Sequence, residues 1–206
     1  MIIKTQIANH NTKIDTDCKK LISALESFNY EFRCEPDIFV KVTDMEVKAF
    51  CDRYKGFSRE AAENRLVCEL FAGKLTELGG FCLSCSLVED NGRAVIVGGR
   101  PEFTRKFAED YREVHGRKYL GEQVVAVCRG KQGLEIYTTP WGGSETKSRM
   151  LPFGSIIICE NEEIYKAGAE ISRHLLISEL LPMVPLPKKA ELLPVITAIM
   201  EKMIEV

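Results

Sequence analysis

The stretch from Phe81 to Lys106, FCLSCSLVEDNGRAVIVGGRPEFTRK, constrains the fold more than any other part of this 206-residue chain. Asn91-Gly92 is a dipeptide that accepts the positive φ angles of a two-residue hairpin turn, and apolar runs flank it on both sides. Cys82 to Val88 and Ala94 to Val97 therefore read as two buried strands joined by that turn. Gly98-Gly99 ends the second strand. Phe103, Phe107 and Tyr111 then recur every four residues, the spacing of one helix face, and Pro101 suits the first turn of that helix.

Strand, glycine loop and helix in succession make the geometry of a phosphate-binding loop, in which backbone N–H groups and a helix N-terminus point at an anion. The full signature is a glycine, four free positions, then Gly-Lys-Ser/Thr, with the Lys on the phosphates and the hydroxyl on Mg²⁺. Counted from Gly99, the last three positions fall on Thr104, Arg105 and Lys106, so this chain keeps the positive charge of the signature and not its glycine or hydroxyl order. The candidate anion- or cofactor-binding residues are Gly98, Gly99, Arg100, Thr104, Arg105 and Lys106. Arg100 and Arg105 lie where a phosphate would sit, Arg93 and Arg149 add positive charge nearby, and Lys106 reads equally well as a solvated helix residue.

Leu83 to Gly99, LSCSLVEDNGRAVIVGG, resembles the stretch that leads into the phosphate loop of the HPr kinase/phosphorylase and phosphoenolpyruvate-carboxykinase-like family. Downstream landmarks of that family also line up in order: Tyr119-Leu120-Gly121-Glu122-Gln123 for its aspartate-bearing strand, Val124 to Thr139 for a hairpin, and Pro140-Trp141-Gly142-Gly143 for its Pro-Trp-Ser-Gly turn. The resemblance runs from about Glu63 to Glu160. It implies an α/β fold with a phosphate-loop-like core of mixed sheet and helices over 58–160; the pattern of the flanking sequence adds an α+β N-terminal extension over 1–57 and C-terminal helices over 161–206, with no linker to divide a single domain.

The chain departs from the family at its chemical positions. Ser84 stands for the family's histidine, Arg105 for the phosphate-loop lysine, Lys106 for the Mg²⁺ hydroxyl, and Glu122-Gln123 for the aspartate pair. A planar guanidinium does not replace a compact ammonium inside a phosphate loop, and a Lys at a Mg²⁺ position sets like charge beside a cation. Glu122 is the one candidate catalytic or metal-holding carboxylate left. Two expectations follow. The first is a degenerate relative without Mg-ATP chemistry, a binding or scaffolding domain that keeps an anion site, needs no cofactor or metal, and takes a small anion or a protein as partner. The alternative is a small-molecule or protein-serine kinase of the HPr kinase type using ATP and Mg²⁺.

Composition excludes other classes. With 45% hydrophobic and 28% charged residues the chain has ordinary globular usage, and its formal net charge of -2 gives no field to draw nucleic acid or an acidic membrane. The N-terminus lacks the apolar core of a signal peptide, so the expected location is cytoplasmic. The eight cysteines do not form a disulfide framework. Cys82 and Cys85 make a C-x-x-C, but on a strand an odd step sends the two side chains to opposite faces, which argues for packing over zinc or redox chemistry. His10, His115 and His174 are scattered.

Elsewhere, Met1 to Ala8 is expected as a strand, Thr16 to Phe28 as a helix, and Tyr30 to Arg33 and Ile38 to Thr43 as strands. Ser58 is a good N-cap for a helix that runs to Gly79-Gly80. Gln123 to Cys128, Leu134 to Thr139 and Phe153 to Cys159 read as strands, and Glu162 to Leu181 and Lys188 to Ile204 as two helices around a proline-rich connector. Trp141, the single tryptophan, reads either as a packing anchor or as a lid over a ligand.

Overall fold

The computed structural model describes residues 1–28, 30–99, 101–131, 133–142, 148–160 and 163–166, together with Pro194, Thr197, Ala198 and Glu201. Within these bounds the protein is α/β, with a three-stranded sheet, a six-stranded mixed sheet and four helices.

The first sheet is built by local rules. β1 (Ile2–Ile7) and β2 (His10–Asp15) pair antiparallel through a two-residue turn in which Ala8 and Asn9 both take positive φ, 52° and 62°. Helix α1 (Lys19–Glu26) then crosses over to β3 (Ile38–Lys41), which lies parallel to β2. That crossover is the connection a parallel neighbour requires. The chain from Tyr30 to Arg33 is not a strand. Lys4 Nζ donates to the Phe32 carbonyl of this segment and Thr5 Oγ1 to the Phe28 carbonyl just before it, so side chains take up backbone acceptors here. β2 was concealed by its polar sequence, HNTKID, in which Thr12 and Ile14 are the residues turned inward.

Helix α2 (Asp44–Arg53), also unforeseen, starts with a full capping box between Thr43 and Glu46. Helix α3 (Arg59–Glu77) starts as expected at Ser58, whose hydroxyl accepts from the Ala61 N–H, and stops before Gly79 at φ 86°. Helix α1 is held at its N-terminus by carboxylates of α3. The Lys20 N–H donates to Glu60 at 2.9 Å, while Glu63, buried, accepts from the Thr16 hydroxyl at 2.6 Å and the Asp17 N–H at 2.8 Å. Two negative side chains thus satisfy donors around the positive end of a short helix.

The larger sheet closes on itself. β4 (Phe81–Asp90) and β5 (Arg93–Gly99) form the hairpin read from the sequence, with Asn91 at φ 50° and Gly92 at φ 76°. β6 (Lys118–Gly130) pairs with β4, β7 (Gly133–Thr138) with β6, and β8 (Met150–Glu160) with β7. β8 also runs parallel to β5 from Ala94↔Phe153 to Gly99↔Cys159, which completes a five-stranded ring. β9 (Glu163–Lys166) adds to β8 outside the ring, where the sequence suggested the start of a helix; the remainder of that expected helix and its proline-rich connector lie outside the described residues. Pro194, Thr197, Ala198 and Glu201 are helical, inside the second expected C-terminal helix.

Alternation along each strand sorts side chains between the inside of the ring and its two outer faces. Phe81, Leu83, Cys85 and Leu87 point inward with Ala94, Ile96, Val125, Val127, Ile136, Phe153 and Ile158. Cys82, Ala126 and Tyr137 point outward into a second core shared with Phe71 and Leu75 of α3, Leu21 of α1, and Ile7, Ile14 and Ile38 of the first sheet. Val88, Val95, Val97 and Ile157 form a third outward cluster, covered by Phe103, Phe107 and Ala108 of helix α4 (Pro101–His115).

The ring closes where β5 meets β8 at Gly99. This residue sits at φ 118°, and a Cβ there would lie 2.1 Å from the Cys159 carbonyl oxygen. Gly99→Ala is expected to destabilise the fold by about 3 kcal/mol or more, because backbone rather than a flexible side chain blocks the methyl group. Gly73→Ala, within α3 with nothing inside 4 Å of the added Cβ, is expected to stabilise by about 0.5–1 kcal/mol. Urea unfolding of the two variants checks the opposite signs.

Candidate ligand-binding cleft

Three landmarks of the sequence meet in one place. A cleft of about 820 Å³ is walled by Lys20, Leu21 and Ala24 of α1 with Phe28 behind them, Asn64 of α3, Arg105 of α4, Tyr119, Gly121 and Glu122 of β6, and the Pro140-Trp141-Gly142 turn. Arg105, Glu122 and Trp141 are thus brought together from three separate parts of the chain.

A bulge on β6 makes this possible. Opposite β4, Leu87 pairs with Gly121 and Val88 with Tyr119, so Leu120 is an extra residue, and Gly121 takes φ 95°. Tyr119 and Glu122 are three apart and would face opposite sides of a regular strand. With the bulge both face outward, while Leu120 turns into the ring core.

The charges are distributed as follows. Arg105 is 66% exposed and its Nε lies 3.2 Å from Glu109 one turn on. The hydrogen bond to Glu109, then the negative charges of Glu109 and Glu122, raise the Arg105 pKa above its ordinary value. Burial pushes the Tyr119 phenol up, the adjacent Ser86 hydroxyl opposes the shift, and Glu122 and Glu109 add to it, so Tyr119 stays a neutral hydroxyl at neutral pH. Glu122 and Lys20 are exposed at the cleft.

The tryptophan turn is held from beneath. The Thr139 hydroxyl donates to the Val124 carbonyl and accepts from the Trp141 N–H at 3.4 Å. The indole packs on Phe71 with ring centroids 5.0 Å apart. Trp141 therefore anchors the turn to α3 and also lines the cleft. Two buried polar atoms around this cleft, Trp141 Nε1 and Asn64 Oδ1, have no hydrogen-bond partner among the described residues.

The remaining sequence-derived candidates divide. Gly98 is buried in the ladder opposite Ile158, and the need for glycine at 99 is met by Cys159. Strand β5 ends at Gly99 and α4 begins at Pro101, so a single position separates them; Arg100, which occupies it, lies outside the described residues. Thr104 is buried on the inner side of α4 and Lys106 is exposed. Arg149 does not join the positive group. It pairs with Glu89 at 2.7 Å at the hairpin end of β4, where Arg93 also lies. That end is about 17 Å of strand from Gly99. Lys20 and Asn64 escaped the sequence reading, since they come from helices distant in the chain and belong to no spacing pattern. Tyr119 stands out in the sequence only as part of the strand Tyr119 to Gln123.

Cys82 and Cys85 lie on opposite faces of β4, one in the outer core and one inside the ring. Among the described residues no three His, Cys, Asp or Glu side chains gather as a metal-holding group. Among the same residues no helix is long and apolar enough to cross a membrane. The fold and the cleft define an α/β protein whose charged and aromatic side chains converge beside the start of a helix. Compared with protein-family models, curated proteins and solved structures, the chain matches none.

Burial pushes the Cys68, Cys85 and Cys128 thiols up to about 12, and Cys82 well above its usual range. At pH 8, iodoacetamide is expected to label exposed Cys34 readily and to leave Cys82 and Cys85 unmodified until denaturant is added, as mass spectrometry of the peptides would read. A thiol whose folded pKa is raised keeps its full contribution to stability below the ordinary value of 9.0. That contribution is lost as pH climbs from there toward 12, so the denaturation midpoint should fall over this interval.

Proposed function

We propose that this protein is a degenerate HPr-kinase-like domain that binds a small anion and does not carry out Mg-ATP phosphoryl transfer. The observation that carries the reading is the convergence of Arg105, Glu122 and the Pro-Trp turn on one cleft beside the start of α4, in the order the family resemblance implies. Helix N-termini favour negative charge, and a guanidinium in the second turn reinforces it. Against phosphoryl transfer stands the junction of β5 and α4. With one residue between strand and helix, and Gly99 pressed on Cys159, the backbone has little length to wrap a triphosphate.

The kinase reading keeps one specific observation in its favour, the presence of Glu122 in the same cleft as Arg105, where a carboxylate could hold a metal beside a phosphate. Two measurements separate the readings. A phosphate titration followed by NMR is expected to shift Gly98, Gly99 and Thr104 without added metal, to weaken with ionic strength, and to be reduced more by Arg105→Ala than by Lys106→Ala. Calorimetry with ATP and Mg²⁺ is expected to give no tight binding. Low-micromolar affinity abolished by EDTA would restore the kinase reading, and an absence of any shift at millimolar phosphate would remove the anion site.

A further inference from the structure

We propose that this protein forms a two-fold dimer in which β3 pairs antiparallel with β3 of a second copy, joining the two small sheets into one. β3 is the last strand of its sheet. The direction of its backbone groups follows from the register. The Thr16 N–H donates to the Met1 carbonyl at 3.0 Å, which sets the phase of the β1–β2 ladder, so that Ile14, Thr12 and His10 bond Ile3, Thr5 and Ile7. Asn11, Lys13 and Asp15 therefore turn their backbone groups toward β3, where the parallel register brings Ile38 and Val40 to meet them. Asp37, in a bend before the strand, adds its own N–H to the Asn11 carbonyl at 2.8 Å. The N–H and C=O groups of Phe39 and Lys41 point to the open side and have no partner among the described residues.

The two edges of this sheet differ. Beside β1 the chain is held close, with Lys4 Nζ on the Phe32 carbonyl at 3.1 Å and Thr5 Oγ1 on the Phe28 carbonyl at 2.6 Å. At β3 the side chains that could guard the edge turn back over the sheet. Lys41 Nζ lies 3.2 Å from Asp15, and Lys13 Nζ stands 5.2 Å from the centre of the Phe39 ring. Unpaired backbone beside an exposed aromatic is a template for another strand, and β3 fits itself. Residues opposed across the two-fold must share a face, which leaves few registers. Centring on Lys41 opposes like charges. Centring on Phe39 sets the Lys41 carbonyl against Asp37, whose N–H is already given to Asn11. Centring on Val40 places Phe39 opposite Lys41 of the second copy in both directions, so every outward N–H and C=O is paired and an ammonium lies against an aromatic ring. On the inner face Ile38 and Val40 then meet Val42 and Val40 of the second copy, apolar against apolar. Phe39, 48% exposed, and Met45, 80% exposed in the first turn of α2 just beyond the strand, supply further apolar surface at this edge.

Sedimentation equilibrium on the full chain is expected to show a monomer–dimer equilibrium with a Kd of about 10–100 µM, the weak range that a short pairing supports. Amide hydrogen exchange, read by NMR at about 20 µM and about 1 mM, tests the register directly. Between these concentrations the Phe39 and Lys41 amides are expected to slow about threefold or more, while those of Ile38 and Val40, already bonded to β2, keep their rates. Phe39→Pro removes one outward donor from each copy and no bond to β2, so it should raise the Kd about tenfold or more. Phe39→Ala keeps that donor and should raise it less. A chain that stays monomeric at about 1 mM, or a dimer that Phe39→Pro leaves as tight as before, overturns the pairing. Should Phe39→Pro fail to fold, the native amides decide alone, and equal exchange of Phe39 and Lys41 at both concentrations rejects it.

Discussion

The parallel pairing of β5 with β8 is the constraint on which the rest of the larger sheet depends. β5 is joined to β4 by a two-residue turn and β8 comes late in the chain, so their pairing closes β4, β6 and β7 between them. Closure removes free strand edges from the ring and gives each of its strands an inward row of side chains. It also demands two local exceptions. At Gly99 the two backbones approach too closely for any side chain. At Gly154 the β5–β8 register shifts, so Phe153 and Ile156 both reach the interior despite their odd separation.

A second irregularity, the bulge at Leu120-Gly121, does for the cleft what the Gly154 shift does for the core. It lets Tyr119 and Glu122 share a face without turning Leu120 out of the interior. The cleft is thus assembled from a rigid ladder on one side and helices α1, α3 and α4 on the others. Its charged groups, Lys20, Arg105 and Glu122, stand on regular elements, which hold side chains more tightly than loops do.

What was legible in the sequence was what short-range chemistry controls. The Asn91-Gly92 turn, the Ser58 cap, the helix beginning at Pro101 and the opposite facing of Cys82 and Cys85 all follow from neighbours within a few residues. What was not legible depends on distant partners. β2 has a polar sequence and becomes a strand because β1 and β3 flank it. Tyr30 to Arg33 has strand-like composition, yet the Phe32 carbonyl within it, and the Phe28 carbonyl just before it, are met by side chains of β1. Glu163–Lys166 pairs with β8, a tertiary contact that overrides a helical pattern. Of the cleft, Arg105 and Glu122 could be named in advance through order and spacing. Asn64 and Lys20 could not, because their meeting is a product of how α1 and α3 pack.

The docking of α1 on Glu60 and Glu63 carries a consequence for how the molecule is made. An eight-residue helix is too short to persist alone in water, and α1 supplements its own Cys18 cap with carboxylates some forty residues further along the chain. During synthesis the β1–β2 hairpin emerges first, but the wall it supports cannot settle until α3 has left the ribosome. Asn64 follows Glu63 directly, so the residue that completes one side of the cleft arrives together with the residue that secures the other. The α1 and α3 sides of the cleft are therefore timed by a single turn of helix, ahead of the sides that α4, β6 and the tryptophan turn supply.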